Sequence, residues 1–209
     1  MEPNVPARRV PRQARAERRV AAILDAAAAL FAESGYEAAT VTAMAARVGA
    51  SIGSVYQFFP NKEAITEALA ARYLGQLRQL YDTTLTPEAA HWPLASLVDR
   101  LVDPTVAFET EHPGFRALFE GAQSMTRLPA TTALHDEVVG RTGAIFAARN
   151  PALDADHVRL YARLTVQIIK ATLPLALESQ GMMEARIVPE IKGVLCAYLA
   201  PRLDASPGR

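Results

Sequence analysis

Apolar residues at helical spacing, separated by proline and glycine, limit the fold of this chain more than any other feature. The first such segment carries an apolar face formed by Val20, Ile23, Leu24, Ala27, Leu30 and Phe31. The same pattern predicts further helices at 42–48, 51–58, 62–83, 93–111, 113–124, 128–149, 154–179 and 183–199. No stretch alternates between apolar and polar residues for long enough to predict a strand. The predicted fold class is therefore all-α.

Local chemistry predicts where the early helices begin and end. Gly35 ends the first helix, because glycine readily adopts the left-handed backbone that often terminates helices. Thr40 or Thr42 caps the second helix and Asn61 the fourth, since their side-chain oxygens can accept a backbone N–H of the first turn. Gly49 permits a tight turn before the third helix, so the three helices predict a helix-turn-helix unit. The core of this unit is predicted to comprise Val41, Met44, Val48, Val55 and Phe59.

The amino-acid composition indicates in which cellular compartment the protein acts. The chain has 209 residues and is 50% hydrophobic, which suits one or two globular domains. Cys196 is its only cysteine, which excludes an intrachain disulfide framework and favours a reducing environment. There is no run of about 18 apolar residues, and the arginine-rich start lacks the apolar segment of a secretion signal. We therefore expect a cytoplasmic protein.

Charge is distributed unevenly although the formal net charge is zero. Residues 1–62 contain eight Lys and Arg against five Asp and Glu, a balance of +3, so the remainder carries −3. This asymmetry suits a phosphate-binding N-terminal part on a more acidic body. A solvated basic tail without a partner would give the same balance.

The segment Thr40-Val-Thr-Ala-Met-Ala-Ala-Arg-Val-Gly-Ala-Ser-Ile-Gly-Ser-Val-Tyr-Gln-Phe-Phe-Pro-Asn-Lys-Glu63 resembles the DNA-binding domain of the TetR (tetracycline-repressor-like) family. The resemblance covers about residues 12–66. Its specific elements are residues 21–27, Phe31, Gly35-Tyr36, residues 45–49, residues 53–56, Phe59 and Lys62-Glu63. It implies a transcriptional regulator whose N-terminal domain binds DNA and whose helical C-terminal domain dimerises and senses a small molecule.

The third helix is the expected recognition helix, because its outward residues are short or form hydrogen bonds and allow a close fit in the major groove. Gln57 suits the N6 and N7 edge of adenine, whereas Tyr56 is better suited to a phosphate. Thr40 and Thr42 can hold a phosphate at the start of the second helix, although Thr42 can equally be only a cap. The resemblance implies a backbone contact for Lys62, with a solvent-exposed lysine as the alternative. The predicted DNA-binding residues are Thr40, Thr42, Ser51, Gly53, Ser54, Tyr56, Gln57 and Lys62.

The predicted organisation is a flexible basic arm at 1–11, a helix-turn-helix domain at 12–62, a ligand-sensing and dimerisation domain at 63–203 and a tail at 204–209. Three prolines in the arm argue against a helix there. The arm and the residues just after it carry arginines that could enter the minor groove, track phosphates or only be solvated. These are Arg8, Arg9, Arg12 and Arg15.

The last two helices predict a homodimer. Apolar residues cover nearly every side of the helix at 158–177, so it should be buried on more than one face. The final helix carries an apolar stripe of Ile187, Ile191, Val194, Leu195 and Tyr198. Two such helices from each subunit would close a four-helix interface, with Ile191 in its seam. Burial within one subunit is the alternative.

The ligand-sensing body does not reveal which effector it binds. Aromatic residues supply apolar lining, although any one of them can simply be core. Thr165, Gln167 and Lys170 are polar groups in an otherwise apolar helix, so at least one is expected to face a cavity or the dimer interface. Surface exposure is the alternative for Lys170. The predicted effector-contacting residues are Trp92, Phe108, Phe115, Phe119, Met125, Tyr161, Thr165 and Gln167.

Enzymatic sites are not apparent. The four histidines lack metal-ligand spacing, and the sequence has neither a nucleophile elbow nor a phosphate-binding glycine loop. We therefore expect no enzyme, metal or cofactor, but a ligand-responsive repressor that binds a palindromic operator as a dimer and is released by a small, largely apolar effector. The alternatives are an activator or ligand-independent DNA-binding protein, and a helical-bundle enzyme. Loss of DNA binding on adding a metabolite would favour the repressor, and turnover without DNA binding the enzyme.

Overall fold

The computed structural model describes residues 12–121, 129–178 and 184–204. Within these ranges the chain forms helices and no strand, so the predicted all-α class is confirmed. The α-helices are α1 Arg12–Ala38, α2 Val41–Arg47, α3 Ile52–Tyr56, α4 Lys62–Thr84, α5 Leu94–Glu111, α6 Pro113–Gly121, α7 Pro129–Arg149, α8 Ala155–Glu178 and α9 Glu184–Leu203. A short 3-10 helix, Pro87–His91, precedes α5.

The predicted capping residues are found at the starts of the early helices. Thr40, rather than Thr42, caps α2 by accepting the Ala43 N–H at 3.1 Å. Asn61 accepts the Ala64 N–H at 2.8 Å before α4. Gly35 has φ 78°, which breaks the helical backbone near the end of α1 as predicted.

The described chain forms two compact units. Among the described residues, unit 1 combines residues 12–72 with 113–121, and unit 2 combines residues 73–112 with 129–178 and 184–204. The sequence-based boundary lay at residue 62, whereas the contacts group the start of α4 and the whole of α6 with the helix-turn-helix. These associations join segments far apart in the sequence, which local patterns do not record.

Unit 1 is built on α1, which packs against α2 and α6. Its buried side chains include Ile23, Ala27, Phe31, Leu118 and Ile65. Gly114 approaches α1 very closely, because a Cβ added there would lie 2.5 Å from the backbone oxygen of Ala28. Only glycine can occupy this position without moving one of the two helices.

Unit 2 is a helical bundle in which α8 packs against α7 and α9, and α9 packs against α5. Its largest fully buried side chains are Leu97, Ile145, Phe146, Leu173, Leu195 and Leu199. Arg141 on α7 donates to Asp82 of α4, and this contact joins the two helices. It also donates to Glu137 on its own helix.

The last helix extends further than predicted, to Leu203 instead of residue 199. Pro201 lacks an N–H and was expected to end the helix, but tertiary contacts hold the final turn. Leu203 is buried, and the Asn150 amide donates to the Arg202 carbonyl at 2.9 Å. Arg149 also donates to the Asp204 carboxylate at 2.7 Å.

Candidate DNA-binding surface

The second and third helices are held in place by a small apolar core. Val41, Met44, Val55 and Phe59 are buried, and Val48 is half-buried. Gly49 has φ 61° and provides the turn between α2 and α3. This arrangement confirms the predicted helix-turn-helix and fixes which side of α3 faces outward.

The outward side of α3 carries most of the residues predicted to contact DNA. Ser51, Gly53, Tyr56 and Gln57 are exposed, and Ser54 is half-buried. Because Val55 points into the core, the helix cannot rotate without exposing that side chain. The structure therefore brings these residues together on one accessible surface.

Ile52 is a surface residue of α3 that the sequence analysis missed. It is exposed although it is a large apolar side chain. Helical spacing could have revealed it, because residues 52 and 56 lie four apart and share one side of a helix. The recognition surface is therefore partly apolar.

The hydroxyl groups near these helix starts have different roles. Thr40 and Ser51 use their side-chain oxygens as caps, with Ser51 accepting the Ser54 N–H at 3.2 Å. Thr42 is exposed in the first turn of α2. Its side chain lies where an approaching phosphate can meet the first backbone N–H groups of that helix.

Lys62 is half-buried at the start of α4. Its ammonium group donates to the carbonyl oxygens of Tyr36 and Glu37 and lies 4.1 Å from the centroid of the Tyr36 ring. These contacts satisfy carbonyls at the end of α1, a structural role that the sequence analysis did not foresee. An ammonium group has three N–H donors, so these two carbonyl oxygens do not use all of them.

Arg47 lies near the end of α2 but pairs with Glu33 of α1 through two hydrogen bonds, at 2.8 and 2.6 Å. The hydrogen bond from Arg47 holds the pKa of Glu33 below its ordinary value. This pair joins α1 to α2. It also engages the Arg47 guanidinium in contacts within unit 1.

Family models match both parts of the chain. Residues 23–69 match "Bacterial regulatory proteins, tetR family" and residues 93–199 match "Tetracyclin repressor-like, C-terminal domain". The chain belongs to the TetR family. It is a DNA-binding transcriptional regulator, and its family and fold are those of transcriptional regulators instead of enzymes.

Several proteins resemble this TetR-family chain. The HTH-type transcriptional repressor KstR2 of Mycolicibacterium smegmatis is 26% identical over 183 residues, covering 79% of this chain and 86% of that protein. The fatty acid metabolism regulator protein of Bacillus subtilis is 33% identical over 67 residues, covering 32% of this chain and 34% of that protein. A solved TetR-family transcriptional regulator from Streptomyces coelicolor is 26% identical, with a TM-score of 0.61, and the match covers 88% of this chain and 99% of that one.

Coverage of the curated relatives is uneven. The matches span 46% and 34% of the lengths of two Bacillus subtilis proteins, which is less than two thirds of either.

The residues predicted to contact an effector are distributed over both units of this TetR-family chain. Phe115 and Phe119 lie on α6 in unit 1, with ring centroids 4.6 Å apart. Trp92, Phe108, Tyr161, Thr165 and Gln167 lie in unit 2. Met125 lies outside the described residues.

Phe108 belongs to a buried aromatic group in unit 2. Its ring stacks on His112 with centroids 4.3 Å apart and meets Tyr73 edge-on at 6.3 Å. One helical turn away, Thr105 is also buried. Burial raises the pKa of Tyr81, and a hydrogen bond with Thr105 partly opposes that shift. Polar groups thus accompany this aromatic cluster.

The remaining predicted effector residues of unit 2 lie elsewhere. Trp92 is half-buried and packs on Arg100, and Tyr161 meets the Tyr198 ring edge-on at 6.1 Å. Thr165 is buried and donates to the Tyr161 carbonyl, whereas Gln167 is exposed.

Thr142 is a buried polar residue that the sequence analysis missed. Its hydroxyl has no hydrogen-bond partner among the described residues. Seven other threonines in the described helices donate to a carbonyl three or four residues earlier. A buried hydroxyl without a partner costs free energy, so Thr142 is a candidate anchor for a polar ligand atom. The sequence alone does not show that this hydroxyl is buried without a partner.

The outer face of α8 and α9 carries exposed apolar side chains. Leu160, Leu164, Leu175 and Val194 are all exposed. Ile191 was expected on this face, but that placement is wrong, because it is 5% exposed and packs inside unit 2. α9 packs against both α8 and α5, and Ile191 lies on its buried side whereas Val194 remains exposed.

The described chain holds no group of three or more His, Cys, Asp or Glu side chains suited to a metal ion. None of its described helices has the length and apolar character needed to cross a membrane.

Proposed function

We propose that this TetR-family regulator is a ligand-responsive repressor that acts in the cytoplasm and binds a palindromic operator as a homodimer. A small, largely apolar effector releases it from DNA. The observation that carries the proposal is the exposed surface of α3, which buried Val55 holds outward. The relative named as a transcriptional repressor, matched over most of its length, supports the direction of regulation.

The proposed DNA contacts divide into two classes. Gln57 is exposed and can pair with a base edge, whereas Tyr56, Thr42 and Lys62 suit phosphates. Ser51, Gly53, Ser54 and Thr40 complete the surface by allowing the helix starts to approach DNA closely.

Dimerisation is proposed through the outer face of α8 and α9. Four of the exposed large hydrophobic side chains of the described chain lie on these two helices. A second copy would cover them in a symmetric four-helix contact. Because each subunit has one recognition helix, the dimer would bind two half-sites related by twofold symmetry.

The effector is proposed to contact unit 2, with Phe108 as apolar lining and the unpartnered Thr142 hydroxyl as a candidate polar anchor. Gln167, the anchor expected from the sequence, is exposed. Phe108 is linked to His112 by ring stacking and by a 2.8 Å contact between its carbonyl oxygen and His112 Nδ1. His112 is the single residue between α5 and α6, and α6 packs on α1 of the DNA-binding unit.

The DNA-binding roles predict two different mutant phenotypes. Gln57→Ala should lose about 1–3 kcal/mol of discrimination at one base pair in each half-site, because only a base contact is removed. Lys62→Ala should weaken binding to all sequences alike and reduce the slope of log affinity against log salt by about one. Both are measured by titrating selected and scrambled duplexes at several salt concentrations.

Lys62 also satisfies carbonyls of α1, so unfolding by denaturant is measured in parallel. Lys62→Ala should be less stable than the wild type, whereas exposed Gln57→Ala should be equally stable. Identical effects of the two variants on sequence preference and salt dependence would disprove this division of roles.

Effector release predicts reciprocal coupling. If an effector weakens DNA binding by some factor, DNA must weaken effector binding by the same factor. Short-, medium- and long-chain fatty acids are suitable first probes, because they are apolar with one polar end and one relative is named for fatty acid metabolism. Calorimetry of a binding probe is performed with and without selected DNA. Equal probe affinities in the two titrations would contradict the coupling, even if each partner binds well.

A further inference from the structure

Exposed apolar side chains identify a second feature of the recognition helix. Six large hydrophobic residues are exposed in the described chain, and four of them lie on the proposed dimer face. The other two, Ile52 and Tyr56, are the ones in unit 1. Both lie on α3, which is only five residues long. The exposed large apolar side chains of the described unit 1 are thus concentrated on the helix expected to meet DNA.

Ile52 and Tyr56 form one continuous apolar strip. They are four residues apart, so their side chains are neighbours on the same side of the helix. Their exposures are 41% and 47%, whereas Val55 on the opposite side is fully buried. Intramolecular packing of the described residues therefore does not account for Ile52.

The residues on either side of Ile52 in the sequence leave space around its side chain. Ser51 is engaged in capping the helix through the Ser54 N–H. Gly53 has no side chain, and a Cβ added there would meet nothing within 4 Å. Glycine also costs about 1 kcal/mol in a helix relative to alanine, without any packing gain here. An open position next to Ile52 lets a partner approach the helix closely.

The groups exposed in the major groove determine which base an aliphatic side chain can contact. Base edges there present hydrogen-bond donors and acceptors, and the one apolar group is the C5 methyl of thymine. We propose that Ile52 is a specificity-determining residue that selects thymine in each half-site through this methyl group. The inference rests on the proposed DNA binding and adds a base identity to it.

The test removes the methyl group from DNA and the side chain from the protein. Duplexes bound by the full chain are first selected from a random pool, and each thymine is then replaced singly by deoxyuridine. At one thymine per half-site, the wild type should bind about fourfold more weakly, as expected for losing one buried methyl group. Ile52→Ala should bind the thymine and deoxyuridine duplexes equally, and Ile52→Val should retain part of the difference.

The outcomes separate this inference from the proposed function. Failure to enrich any duplex would remove the DNA-binding proposal itself. Two results would overturn only the role of Ile52. In the first, the enriched duplexes lack thymine in their half-sites. In the second, deoxyuridine weakens binding of the wild type and of Ile52→Ala equally. Sedimentation of the two free proteins is compared as a control. If Ile52→Ala changes self-association but not the preference for thymine, the strip contacts protein and the inference is wrong.

Discussion

Replacing Val194 with glutamate is expected to convert the dimer into a folded monomer. Val194 is 54% exposed on α9, so a charge there is solvated in the free subunit. In the proposed interface the same charge would be buried without a partner, and twofold symmetry would place it there twice. A cost of about 3–5 kcal/mol raises the dimer dissociation constant at least about a hundredfold. Sedimentation over a range of concentrations measures this change.

Ile191→Glu is the matched variant with the opposite expected outcome. Ile191 is three residues away on the same helix but is buried inside the subunit. A glutamate there would place a charge in the core, so unfolding is expected rather than dissociation of folded subunits. Circular dichroism and denaturant unfolding distinguish the two results. A folded Val194→Glu protein that remains dimeric would move the interface away from this face.

Val194→Lys separates burial from a specific charge contact. Desolvation penalises either sign, so lysine should dissociate the dimer as glutamate does. Val194→Ala should weaken it only slightly, because it removes little apolar area. Loss of the dimer should also remove tight binding to a two-half-site operator, since a monomer offers one recognition helix.

The sequence predicted the helices because their limits depend on local chemistry. Asn61 caps α4 and Gly49 forms the turn before α3, and neither role requires knowledge of distant residues. The helix-turn-helix surface followed from the same information, since buried Val55 determines which residues of α3 face outward.

Other features depend on contacts between distant segments. Both Ile191 and Val194 are apolar, and only the packing of α9 against α8 and α5 determines which of them is internal. In the sequence Lys62 resembles an ordinary surface lysine. In the structure it donates to the carbonyl oxygens of Tyr36 and Glu37, which lie about 25 residues earlier in the chain. The position of α6 against α1 is likewise absent from local patterns.

Gly114→Ala is expected to have the largest effect of any single-methyl change within unit 1. The added Cβ would lie 2.5 Å from Ala28 O and 2.9 Å from Ala28 Cα, and both are backbone atoms that no side-chain rotation can move away. α6 or α1 must therefore shift. Overpacking of this kind costs about 1–3 kcal/mol, and DNA affinity should also fall because α1 supports α2.

Gly140→Ala is the matched control, because it adds the same methyl group within α7 where nothing lies within 4 Å. Alanine is favoured over glycine in a helix by about 1 kcal/mol, so this variant should raise the melting temperature by about 2–4 °C. Gly114→Ala should lower the melting temperature despite the same gain in helix propensity, because steric strain exceeds it. DNA titration of folded Gly114→Ala, below its melting transition, then separates an effect of a displaced α1 on DNA affinity from an effect of unfolding. If Gly114→Ala raised the melting temperature as much as Gly140→Ala does, the close approach of α6 to α1 would carry no steric cost and the expected destabilisation would be wrong.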